Sequence, residues 1–270
     1  MAHIIKETFL INNSISISNK INNIPLFFLY FNSIQHYKNL DEYYNVVPEN
    51  YSINNDSIPN ITYKQVFLYS SDNTSFNFDN NFSKSLYHTF LSVNLLLEHN
   101  ICFIIYLNPF ILYSGRPLLN NFSYSLDFKQ LRFDNLKSYF SLQMLKNPYI
   151  PIDIFLICYL IHNDIAIFDK TNFNLVIEYY CNNRNIMNIN TIVNSIDCFV
   201  DVESNDVIKN LFQFKDTWSI FGLISFFLYN YNNLLNTHKL INLFEEYIQQ
   251  VPEERNKNII KTINNILFTN

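Results

Sequence analysis

The sequence predicts an α+β fold in which a small mixed α/β portion is followed by a larger helical one. Three observations predict it. Short β-like runs separated by Asn- and Ser-rich loops occupy the N-terminal third. From Lys84 onward apolar residues recur at helical spacing. A hydrophobic content of 49%, with 17% aromatic residues over 270 positions, supplies enough apolar surface for a sizeable core and excludes a disordered chain.

The elements follow in order. Residues 66–69 form a compact apolar run between polar flanks, a strand. Leu86, Phe90, Val93 and Leu97 fall on one face of a helix over residues 84–99, which must pack that face on a core. Residues 101–107 read as a strand. Residues 110–113 and 116–119 read as a hairpin closed by Ser114-Gly115, where glycine supplies the positive φ of a two-residue turn. Residues 151–161 are apolar behind a proline, which suits the first turn of a buried helix. Residues 217–228 are apolar on nearly every face, so that helix must lie inside the protein. Leu240, Leu243, Phe244, Tyr247 and Ile248 mark an amphipathic helix, Ile259, Ile260, Ile263, Ile266 and Leu267 another, and Pro252 separates them.

Composition excludes several functions. Gly115 and Gly222 are the only glycines, so neither a dinucleotide fingerprint nor a phosphate-cradling loop can be built. Scarce Ala and Gly beside abundant Asn, Ile, Phe and Tyr is the mark of A/T-rich codons. A net charge of −5 without a basic run argues against nucleic acid. No apolar run approaches the roughly 20 residues of a membrane span, and the first residues lack a secretory pattern, so a cytoplasmic protein without membrane partners is expected. Cys102, Cys158, Cys181 and Cys198 are widely spaced, which points to reduced thiols. Cys158 and His162 sit one helical turn apart, a spacing better explained by core packing than by metal. The six histidines are scattered, and no H-E-x-x-H or G-x-S-x-G occurs. No cofactor and no metal are expected.

The order of helix, hairpin, proline-led apolar segment, buried helix and amphipathic helices resembles the second half of a protein kinase domain. The stretch from Glu98 to Leu112 resembles the helix end, catalytic loop and following strand. Gly115-Arg-Pro-Leu-Leu-Asn-Asn-Phe-Ser123 is similar to the strand leading into D-F-G, and Asp216-Thr-Trp-Ser-Ile-Phe-Gly222 to D-x-W-S-x-G at the start of the central helix. Tyr149-Ile-Pro-Ile-Asp153 resembles the A-P-E end of the activation segment, and Pro252-Glu-Glu-Arg255 the P-x-x-R near the domain end. In style the chain looks most like kinase-related proteins of large DNA viruses. The resemblance implies one kinase-like, two-lobed domain over residues 1–270, with a reduced N-terminal lobe (1–72) and a helical C-terminal lobe (73–270).

It also implies what is missing. The base position falls on Ile105, or on Tyr106 if a gap aligns Pro109, and the loop lysine becomes Leu107 or Asn108. The metal-binding Asn becomes Phe110, and the D-F-G Asp becomes Asn121. With carboxylates, metal ligand and glycine-rich loop all replaced, little remains of a reaction that depends on positioning and charge stabilisation. Lys6 could stand where the nucleotide-contacting lysine does, without an acidic partner. Four structural residues are carried over: Asp153 and Arg255 as a buried ion pair, Asp216 capping helix and loop backbone, and Trp218. The expectation is a pseudokinase that binds another protein, an active kinase or its substrate. Two alternatives stand beside it: an active kinase that recruits Asp127 or Asp134, and an unrelated helical interaction protein.

Overall fold

The computed structural model describes residues 3–5, 48–53, 59–63, 67–69, 82–98, 100–106, 109–113, 116–119, 124–129, 131–182, 184, 188–256 and 258–268. Lys6, Leu107, Asn108, Gly115 and Asn121, singled out above, lie outside them. The fold is α+β, mostly helical, with short antiparallel strand pairs. The chain separates into two compact units, residues 1–101 with 108–122 and residues 102–107 with 123–270. These boundaries differ from a division at residue 72, because the first long helix and the hairpin group with the N-terminal strands.

In the first unit, β1 (His3–Ile5) pairs antiparallel with β4 (Phe67–Tyr69), and β2 (Pro48–Ile53) with β3 (Pro59–Tyr63). Helix α1 (Phe82–Glu98) buries Leu86, Phe90 and Val93 completely, the face that the spacing predicts, while Leu97 is half-buried. It packs on β7 (Arg116–Leu119), which forms a hairpin with β6 (Phe110–Tyr113). The register pairs Tyr113 with Arg116, so the hairpin loop has two residues, as read. The expected strand over 101–107 is only β5 (Ile101–Cys102). Beyond it the chain is irregular because its backbone bonds to side chains rather than to a second strand.

The second unit is organised around two apolar helices. Behind β8 (Leu126–Asp127), a 3-10 turn (Phe133–Asn135) leads into the one-turn α2 (Leu136–Tyr139), and another 3-10 turn spans Leu142–Lys146. Helix α3 (Ile152–His162) follows Pro151 and is buried from Ile152 to Leu160, a segment whose single charged residue, Asp153, is ion-paired rather than solvated. Strand β9 (Ile167–Phe168) pairs antiparallel with β10 (Val202–Glu203). Between them lie α4 (Lys170–Asn182), opened by Asp169 accepting from the Asn172 N–H at 2.8 Å, and α5 (Ile189–Ile196), capped by Asn188. Helix α6 (Ser204–Leu211) buries Val207, Ile208 and Leu211.

Helix α7 (Lys215–Thr237) buries every residue from Thr217 to Leu228 and runs nine positions past the apolar segment read from sequence. Tyr231 (φ −134°, ψ 29°) kinks it where the apolar run gives way to Asn-rich sequence. Helices α8 (Ile241–Ile248) and α9 (Ile259–Phe268) match their periodicities, and the chain turns at Pro252 in a short 3-10 helix. With so little glycine, other residues take left-handed positions: Asn100, Asp164, Asp201 and Lys239 have φ between 51° and 67°. Asp164 and Lys239 each close a helix, with Ile165 N–H bonding Leu160 C=O and Leu240 N–H bonding Leu235 C=O. No helix of the described residues is long and apolar enough to cross a membrane.

Candidate functional site

The segment matched to the kinase catalytic loop lies against α7 inside the second unit, and two residues one turn apart hold it there. The Phe103 N–H donates to Ser219 Oγ at 2.9 Å, and Ser219 Oγ lies 3.2 Å from Cys102 Sγ. Gly222 faces Ile105: a Cβ built on it would stand 3.3 Å from the Tyr149 carbonyl oxygen and 3.8 Å from Ile105 Cβ. The absent side chain here accommodates a close approach of backbone to helix rather than a positive φ. Asp216 is exposed in the first turn of α7, and the N-cap position falls on Phe214, whose side chain makes no capping bond. At Phe103 the loop backbone is held by Ser219. The Ser219 hydroxyl, three positions after Asp216, faces the loop, and the Asp216 charge is felt at Cys102 beside it.

Of the two positions matched to the base, Ile105 is 1% exposed and lies in the core, while Tyr106 is half-buried and packs edge-on to the Tyr124 ring at 4.6 Å. The Ile105 carbonyl oxygen accepts from Asn147 Nδ2 at 2.6 Å. Asn147 is wholly buried and bonds in three directions: its Oδ1 accepts from the Tyr149 N–H at 3.0 Å, and its carbonyl accepts from Arg184 Nη2 at 2.5 Å. Arg184 also donates to the Tyr180 carbonyl at 3.1 Å and lies 3.8 Å over the Tyr180 ring. Burial pulls the Arg184 guanidinium below its ordinary pKa, and burial pushes the Tyr180 phenol up to about 12. Sequence reasoning missed Asn147 and Arg184. An Asn before a Pro reads as a surface turn, and an Arg among asparagines reads as exposed.

Cys102 cannot serve as a nucleophile: burial pushes its thiol up to about 12, against a lowering by Ser219 and a further rise from the Asp216 charge. Cys158 is raised by burial too and lies 3.9 Å from Met144 Sδ, while His162 Nε2 is 2.5 Å from the Phe140 carbonyl. Those two residues thus have separate partners. Among the described residues no group of His, Cys, Asp or Glu is arranged to hold a metal ion. Phe110 is half-buried in β6 of the first unit, with no oxygen in its side chain to offer a hard cation.

Asp153 and Arg255 form the ion pair expected of them. Arg255 Nη1 lies 2.9 Å from Asp153 Oδ2, with the side chains 2% and 0% exposed. The same nitrogen is 3.4 Å from Thr217 Oγ1, and the guanidinium stands 4.7 Å over the Phe221 ring. Asp153 from α3, Arg255 behind Pro252 and Thr217 from α7 thus meet in one buried cluster. Trp218, 1% exposed, packs edge-on to Phe128 and Phe140 and against Phe212. Asp134 is exposed in the 3-10 turn before α2. No family model, curated protein or solved structure matches this chain.

Proposed function

We propose that this chain is a protein kinase-like protein without phosphotransferase activity, working in the cytoplasm by binding another protein, an active kinase or one of its substrates. The observation that carries the reading is Ile105. At the position matched to the catalytic base stands an aliphatic side chain sealed against Gly222 in the core, where no substrate hydroxyl reaches and no proton can be taken. The Asp153–Arg255 pair, joining the A-P-E-like and P-x-x-R-like segments, supports the kinase-like architecture. The burial of Trp218 and of α7 from Thr217 to Leu228 supports it as well. Phe110 and Asn121 extend the loss to both metal-binding positions.

A second reading has one observation in its favour: Asp134, a carboxylate available beyond Asn-Phe-Ser, is exposed and has no ion-pair partner among the described residues. Incubation with radiolabelled ATP and magnesium or manganese, with and without a general protein substrate, separates the two. The proposed function gives no transfer. Transfer abolished by Asp134→Asn establishes the other.

A further inference from the structure

We infer that the cavity bounded by α2, α3 and α6 is a docking site for a basic, apolar segment of a partner polypeptide, an inference that rests on the protein-binding function proposed above. The cavity measures about 440 Å³, within the roughly 300–1,000 Å³ typical of ligand pockets. Half-buried Ile161 and Ile165 present aliphatic surface to it, over the buried Leu160 and Ile208. Phe133 lines it as well and is 51% exposed, a large apolar ring left in water.

The charges on this lining do not balance. Asp134 and Asp164 face one lysine, Lys137, which is engaged by Asp164 at 2.5 Å. Lys209, 5.9 Å from the Phe133 ring centre, is likewise engaged by Asp206 at 2.7 Å. Asp134 is left over. Ser204, 6% exposed at the start of α6, also lines the cavity, and its hydroxyl has no hydrogen-bond partner among the described residues.

A long cationic side chain fits this combination. The methylene stem of a Lys or Arg lies along the aliphatic lining while its head reaches the unpaired carboxylate. An anion would be repelled by Asp134, and a wholly apolar group would desolvate that carboxylate without compensation. The chain's net charge of −5 attracts a basic partner from further away.

The test is an anisotropy titration of the full chain with a fluorescein-labelled amphipathic peptide of Leu, Lys and Arg. The control peptide carries Glu in place of the basic residues. Asp134→Lys and Phe133→Ser change exposed side chains and leave the fold intact, which circular dichroism checks. Glu246→Lys reverses an exposed charge on α8 and serves as the control variant. The expected result is binding of the basic peptide only, weakened roughly tenfold or more by each cavity variant and unchanged by Glu246→Lys. Equal weakening by Glu246→Lys, no binding, or equal binding of the acidic peptide overturns the inference. So does a self-associated state, seen by sedimentation, that the cavity variants dissolve, because a second copy then fills the cavity. Failure here with phosphate transfer still absent removes the docking site alone, whereas phosphate transfer removes the proposed function.

Discussion

Replacing Arg255 by Met isolates the buried ion pair. The substitution keeps a long apolar stem in place but leaves the Asp153 carboxylate, 0% exposed, facing no cation. Breaking a buried pair in this way costs about 3–5 kcal/mol, because the remaining charge keeps its desolvation penalty without its partner. Loss of the guanidinium over Phe221, 4.7 Å away, adds about 0.5–2 kcal/mol. Asp153→Leu strands the arginine and is expected to cost a similar 3–5 kcal/mol. The double variant removes both charges and is expected to lie within about 1 kcal/mol of the parent, or above it, since apolar replacement of buried pairs is often neutral or stabilising. Asp153 Oδ1 and Arg255 Nε have no hydrogen-bond partner among the described residues, which makes the intact pair less than ideally satisfied and favours that outcome. Urea unfolding followed by fluorescence reads all four proteins, because the single tryptophan, Trp218, is buried beside Thr217. Single-variant losses below about 1 kcal/mol, the range of exposed pairs, would refute the reasoning.

The same unfolding assay tests the approach of α7 to the loop segment. Gly222→Ala is expected to stay within about 1 kcal/mol of the parent, the helix propensity of Ala offsetting the 3.3 Å contact with the Tyr149 carbonyl, whereas Gly222→Leu should lose about 1–3 kcal/mol or more by overpacking. Ile105→Asp puts an unpaired carboxylate at a core position and should cost at least about 3 kcal/mol without restoring any phosphate transfer; an active, stable variant would contradict the placement of Ile105. In thiol titration with a chromogenic disulfide, exposed Cys198 reacts in the folded protein and Cys102 and Cys158 react only on unfolding. Because the folded Cys102 thiol holds its proton up to about pH 12 against 9.0 for an ordinary thiol, it lowers stability as pH rises through that interval. Stability that does not fall over that interval would contradict the burial of Cys102.

The helices were legible because apolar spacing reports burial directly. Leu86, Phe90 and Val93 in α1, and the unbroken apolar run in α7, required a core on those faces, and they have one. The hairpin was legible because a two-residue connection with Gly115 admits few alternatives. Residues 101–107 misled because an apolar run bounded by polar residues looks the same whether its backbone bonds to a strand or, as at Phe103 and Ile105, to Ser219 and Asn147. The buried polar residues were the least legible. Asp153 and Arg255 were found through a motif at either end, but Asn147 and Arg184 act through backbone carbonyls that no residue pattern encodes. Ser219 belongs with them: it lies inside the D-x-W-S-x-G-like stretch, yet nothing in that pattern marks its hydroxyl as the acceptor for the Phe103 N–H.

Binding of ATP to the full chain, followed by thermal shift with and without magnesium and paired with radiolabelled phosphate transfer, tests the central claim most directly. A kinase-like protein with Phe110 and Asn121 at its metal-binding positions and the buried Ile105 at its base position gives no magnesium-dependent stabilisation and no labelled product. Magnesium-dependent stabilisation by ATP, with transfer abolished by Asp134→Asn or Lys6→Met, contradicts it.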